Sequence, residues 1–197
     1  LDQADVKLKR SDTAWTLALD SQLIKGSATL PDAKAAPIGI DLLYVRLPAP
    51  DPNAAVVENA PDPLADVDPS KVPAMDIKIT QVFQGEQLVG AWSLKTRPTA
   101  TGVRFSDVSM GLKGLLLQGE GVWEGAPGST SSWYKGRLDG KNLADVLKGW
   151  GFAPTVTSED FELNADGRWP GSPAWVSAKR FSGSLDATLR QGQFVEV

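Results

Sequence analysis

The sequence predicts a mainly β fold: a long curved antiparallel meander forming a trough or open barrel, with one short helix. Three observations lead there. In FELNADGRW, residues 161–169, Phe161, Leu163, Ala165, Gly167 and Trp169 alternate strictly with Glu162, Asn164, Asp166 and Arg168, the pattern of a strand with one wet and one apolar face. The pattern recurs along the chain with no βαβ alternation. Glycines 90, 119, 121, 167 and 183 fall on the apolar faces, often one place from a Trp, where they mark bends or close approaches and favour a strongly curled sheet.

Taken in order, TAWTLALD puts Trp15, Leu17 and Leu19 on one face, and QLIKGSATLP does the same for Ile24, Ala28 and Leu30. PIGIDLLYVRLP (37–48) carries apolar residues on both sides and is expected to be covered on both faces. Residues 48–73 hold seven of the fourteen prolines, and five acids (Asp51, Glu58, Asp62, Asp66, Asp68) stand against Lys71. Proline removes ladder donors, so this segment reads as a long Pro-rich acidic loop, an excursion at a sheet edge. Strands resume with Met75, Ile77, Ile79 and Phe83 on one side, then Leu88, Gly90, Trp92 and Leu94. GVRFSDVSM follows, and Leu115, Leu117, Gly119, Gly121 and Trp123 align in the next strand. Turns are expected at Gln84-Gly85, at residues 99–102 and at 126–128.

One segment has a different period. Leu143, Val146, Leu147 and Trp150 fall at i, i+3, i+4 and i+7, predicting a short helix over 142–150 with Asn142 as N-cap, Asp145 in its first turn, Lys148 near its end and Gly149 and Gly151 stopping it. The last run sets Phe181, Gly183, Leu185, Ala187 and Leu189 against Ser182, Ser184, Asp186, Thr188 and Arg190. The count comes to about ten strands.

Composition narrows the chemistry. There is no Cys and no His among the 197 residues, which removes disulfides, thiol nucleophiles, thiolate metal sites and the usual general base. The net charge of -4 with scattered basic residues argues against nucleic-acid binding. Carboxylate pairs remain, Asp66 with Asp68 and Glu159 with Asp160, but neither has neighbours that set their proton affinities apart, and both read as solvated acids. They also lack calcium-loop spacing. No catalytic residue, metal site or cofactor is expected. No run reaches the roughly 18 apolar residues of a membrane-spanning helix, and no signal peptide is present. The chain begins at Leu1 and reads as a processed product or a piece of a longer protein.

The residues facing the apolar side of the strands are the candidate site: Trp15, Leu17, Leu19, Ile77, Ile79, Trp92, Leu94, Leu115, Leu117, Trp123, Phe161, Leu163, Trp169, Leu185 and Leu189. Periodicity alone does not separate a sealed sandwich core, a sugar-stacking platform and a contact with lipid.

Several phrases in order add a resemblance: AWTLALDSQLIKGSATLP, DPLADVDPSKVPAMDIKI, GAWSLKTRP, GEGVWEG, NLADVLKGWGF, GRWPGSP and FSGSLDATLRQGQFVEV. Together they resemble the YhdP branch of the AsmA-like proteins of Gram-negative envelopes, along nearly the whole chain. The resemblance implies a periplasmic location in a protein anchored in the inner membrane by parts outside these residues. It also implies a β-groove whose lining carries phospholipid acyl chains toward the outer membrane. Residues 1–197 would then be a single groove segment, the fifteen residues above its lining, and an envelope protein a further candidate partner. The alternative is a non-catalytic interaction module built as a closed β-sandwich.

Overall fold

The structure is a computed structural model that describes residues 4–49, 60–149, 156–177 and 179–194. Its strands are β1 (Asp5–Arg10), β2 (Ala14–Asp20), β3 (Ile24–Pro31), β4 (Ile38–Leu47), β5 (Met75–Gln84), β6 (Gln87–Pro98), β7 (Gly102–Leu112), β8 (Leu115–Ala126) and β9 (Ser129–Lys141). The helix α1 (Leu143–Gly149) follows, then β10 (Val156–Thr157), β11 (Asp160–Pro170), β12 (Ser182–Arg190) and β13 (Gln193–Phe194). Eleven strands form one sheet in the order β1-β2-β3-β4-β5-β6-β7-β8-β9-β11-β12, while β10 and β13 pair separately. The order does not close on itself. The fold is a mainly β, open and curved sheet with one helix, as expected, and not a sandwich of two large sheets.

Ten consecutive pairings carry the sheet, and nine are antiparallel. The exception is β4 with β5, which run parallel, Ile38 beside Met75 and Leu47 beside Gln84. The Pro-rich connection explains it. β4 ends at one rim of the sheet and β5 begins at the other, so the chain returns the full strand length before pairing again. The connection therefore joins two neighbouring interior strands and is not an excursion from an edge.

Register shifts between Lys25 and Gly26, between Ile79 and Val82, between Ser93 and Lys95, and between Phe105 and Val108 bend the sheet. They also correct two expectations. Around β5 the shifts move Val82 into the apolar row, where it is fully buried. Phe83 leaves that row and lies under the Arg46 guanidinium, 4.4 Å from its ring centre. In β4, Leu43 is 50% exposed, so this strand is not covered on both faces.

Helix α1 begins one residue later than the sequence suggests and is described as far as Gly149. Asn142 enters it at φ 50°, its carbonyl accepting from the N–H groups of Asp145 and Val146. The Asn142 side chain donates to the Asp145 carboxylate instead of accepting a helix N–H, so the cap is made by the backbone. Ala144 and Val146 are buried; Trp150, Gly151 and the side chains of Leu147 and Lys148 lie outside the described residues. Strands β1, β10 and β13 are additions to the pattern read from sequence, two of them too short to show any period.

The core is small. Buried apolar residues among those described are Leu42, Val82, Val103, Trp123, Ala144, Val146 and Trp169. The accessible surface is 12718 Å², against about 9,000 Å² for a compact globular protein of 21.0 kDa. One extended layer accounts for the excess.

Candidate functional site

Cross-strand partners stand on the same face of a sheet, so the registers can be followed from edge to edge. One row runs Val6, Leu19, Gly26, Leu42, Ile79, Trp92, Met110, Leu117, Leu138, Leu163, Ala187, one residue from each of the eleven strands. Beside it lies Leu8, Leu17, Ala28, Ile40, Ile77, Leu94, taken up past the bulge by Val108, Gly119, Gly136, Ala165 and Leu185. At one rim Leu112, Leu115, Gly140, Phe161 and Leu189 continue the same face. The charged residue in these rows and their neighbours is Arg10, at the opposite rim, bound to Asp32 at 2.6 Å and lying over the Trp15 ring.

All fifteen candidate residues fall on this face. Trp15, Leu185 and Leu189 are exposed, and so are Val6, Leu8 and Leu30 beside them. Trp123 and Trp169 differ: both are buried, because the chain covers its own apolar face at the rim where β6, β7, β8 and β11 meet. A 3-10 turn, Pro69–Lys71, lies against β6, β7 and β8 there.

That cover is tied down by hydrogen bonds across long sequence separations. The Thr96 hydroxyl donates to the Pro73 carbonyl at 2.7 Å, and the Gly128 N–H to the Ala65 carbonyl at 2.8 Å. Asp62 accepts from the Ser172 hydroxyl at 2.6 Å, the Ser172 N–H at 2.7 Å and the Leu64 N–H at 2.9 Å. Trp175 Nε1 donates to the Ala60 carbonyl at 2.7 Å. Partial burial pushes the Asp62 carboxyl up, but the hydrogen bonds from Ser172 and Leu64, with the charge of Arg180, outweigh it and hold the group below the usual carboxylate range. Asp68, one of the paired acids, is likewise held low by the Ser70 hydroxyl and N–H, and begins the 3-10 turn. Its role is structural.

Glycine lets aromatic rings lie flat on the apolar face. A Cβ at Gly167 would run into the Phe181 ring, and one at Gly140 into the Phe161 ring. Tyr134 covers Gly136 and Gly119 in the same way, its hydroxyl donating to the Gln118 carbonyl at 2.8 Å. Burial pushes its phenol up to about 12.

The opposite face is wet. Lys95 pairs with Asp107, Arg97 with Asp76, Lys135 with Asp166 and Arg137 with Asp139. Asp166 also accepts from Trp133 Nε1 at 2.9 Å, and these two donors lower its carboxyl. Depressions of about 430, 800 and 520 Å³ lie on this side. The first is lined by Asp41, Asp76, Lys78, Lys95 and Asp107 with Ser27, Thr29 and Ser93, whose opposed charges largely satisfy one another. No group of three or more metal-ligating acids occurs among the described residues.

Fold and face together define a class: an open β-sheet protein with a charged outer wall and one continuous apolar face wide enough for an elongated hydrocarbon ligand. The family is more specific. A family model described as YhdP protein matches residues 1–197, and the chain belongs to that family, a bridge-like lipid-transport family of the cell envelope. Neither a curated protein nor a solved structure matches the chain.

Proposed function

We propose that residues 1–197 are one segment of a periplasmic bridge whose apolar face carries phospholipid acyl chains between the inner and outer membranes. The observation that supports this most is the row from Val6 to Ala187: eleven strands contribute to it and no charge interrupts it. Ten strand spacings at about 4.8 Å give the row a span of roughly 48 Å. Tails would lie along the direction in which the strands stack, with head groups toward the solvent.

The energetics suit movement. Each CH₂ removed from water contributes about 0.8 kcal/mol, so a sixteen-carbon chain gains up to roughly 13 kcal/mol on the face, comparable to what it loses on leaving a bilayer. A lining with no polar step along it then gives a nearly level path. The buried rim at Trp123 and Trp169 bounds the face on one side.

A photo-crosslinking residue placed at Leu117 or Leu163 in cells tests the reading. Lipid adducts are expected at both positions, and none at Glu120 on the outer wall. Adducts at Glu120 alone would reject it.

A further inference from the structure

One corner of the apolar face carries charge. Arg10 stands opposite Trp15, and Trp15 opposite Leu30, on the face that also bears Leu8 and Leu17. Asp32 lies just beyond the end of β3. Arg10 Nη2 donates to the Asp32 carboxylate at 2.6 Å, and the guanidinium carbon is 5.4 Å from the centre of the Trp15 ring. The two charged side chains keep 40% and 46% of their surface accessible, and Trp15 and Leu30 keep 43% and 44%. The 3-10 turn that covers this rim elsewhere lies against β6, β7 and β8, which leaves the corner on β1–β3 open. The cluster is on a face of the sheet, so a strand placed beside β1 would run alongside it and not over it.

An exposed ion pair contributes little to stability, and its chemistry is better suited to recognition. The Trp15 ring holds the guanidinium plane in place, and Asp32 takes one nitrogen of a group built to bind a planar or tetrahedral oxyanion through several N–H donors. An indole is at home where an apolar surface meets a wet one. The corner is neutral as a whole. A head group bearing only negative charge gains Arg10 but meets Asp32, and an uncharged sugar gives neither ion a partner. A phosphate with an ammonium two carbons away gives each ion an opposite charge. The ammonium has to be primary, because a carboxylate binds it through N–H donors, and the aromatic face that would hold a quaternary one is taken by Arg10.

We propose that this corner binds the head group of a zwitterionic phospholipid, with the phosphate on Arg10, a primary ammonium on Asp32 and the glycerol beside Trp15. The tails lie over Leu8, Leu17 and Leu30. The inference rests on the reading of the apolar face as lipid-bearing. It adds which phospholipids the face holds and where one of their heads leaves it.

The test uses the 197-residue chain and vesicles holding equal amounts of phosphatidylethanolamine, phosphatidylglycerol and a phosphate-free galactosyl diacylglycerol, all with the same tails. The chain is recovered by gel filtration and its bound lipid measured by mass spectrometry. Phosphatidylethanolamine is expected to be enriched about three- to fivefold over each of the others, the scale of an exposed charge contact. Arg10→Gln should bring it down to the level of the galactolipid. Asp32→Asn should remove the preference over phosphatidylglycerol. Lys9→Gln, on the opposite face of β1, should change neither ratio, and the total lipid carried should be the same in every variant. Circular dichroism confirms that each is folded. Millimolar inorganic phosphate should leave the bound composition unaltered; loss of the preference in its presence would mean a site for free phosphate and overturn the assignment to a head group. The proposal is also overturned if the chain carries the lipids in the proportions of the vesicles, or if Lys9→Gln changes the ratios as much as Arg10→Gln, and in either case the lipid-bearing face stands. A chain that carries no lipid overturns both.

Discussion

Replacing Asp62 with alanine isolates what holds the covering segment over the rim of the apolar face. The carboxylate accepts three hydrogen bonds, two of them from Ser172, a residue with no accessible surface. Removing the acceptor leaves the Ser172 N–H and hydroxyl buried without partners. Each such group costs about 1–3 kcal/mol, and Leu64, which is only partly buried, can turn to water for its bond. The substitution is therefore expected to cost about 2–5 kcal/mol, a large share of the 5–15 kcal/mol that separates a typical folded domain from its unfolded chain. Asp66→Ala, on the same segment, is expected to change stability by less than about 0.5 kcal/mol. Urea unfolding monitored by Trp fluorescence measures both. A double-mutant cycle with Ser172→Ala should show strong coupling, because the two residues share one set of bonds. The pH dependence has a definite sign. Asp62 is held below its unfolded value, so its contribution is fully present above the unfolded carboxylate range. It is lost as pH falls through the lower folded value. An Asp62→Ala protein no less stable than Asp66→Ala, or a stability that rises on acidification in the parent but not in the variant, would refute this reasoning.

Two further outcomes follow from the apolar face itself. Gly167→Val places a branched side chain where the Phe181 ring lies against the backbone and disturbs its stacking on Trp169, whose ring centre is 6.3 Å away. A loss of about 1–3 kcal/mol in thermal unfolding is expected, whereas Gly128→Ala, with open space around it but a positive φ, should cost about 1 kcal/mol or less. Tyr134 titrates near 12 instead of 10, so its unfolded form releases the proton first. Stability should fall between pH 10 and about 12, and Tyr134→Phe should remove that part of the alkaline slope; phenolate absorbance and unfolding free energy together check it.

Much of the wall was readable because a period of two is a strong signal wherever one face is wet. Phe161 to Trp169 and Ser182 to Arg190 appear in the structure with their faces assigned as the alternation requires. The same rule fails where an extra residue enters a strand. Nothing in MDIKITQVF announces the shifts around Val82 that turn Phe83 toward Arg46. The parallel pairing of β4 with β5 was equally hidden, since a proline-rich connection does not disclose at which rim it ends. Asp62 and Ser172 are separated by 110 residues, and no local pattern links an acid in one loop to a serine in another. The consequence for the site is specific. Sequence placed Trp123 and Trp169 on the apolar face but gave no sign that the chain would bury them there. Asn142 teaches the same lesson on a smaller scale, being the right residue for a helix start and using its backbone, at positive φ, instead of its side chain.

The most direct test of the central claim uses the tryptophans on the two faces. Trp92 stands in the apolar row with Nε1 bound to the Gly111 carbonyl, and Trp133 stands on the polar face bound to Asp166. Phospholipid brominated on its acyl chains quenches indole fluorescence only at close range. The account predicts that quenching of the 197-residue chain falls when Trp92 is replaced by Phe and is unchanged when Trp133 is replaced by Phe. Quenching that depends on Trp133 and not on Trp92 would contradict it.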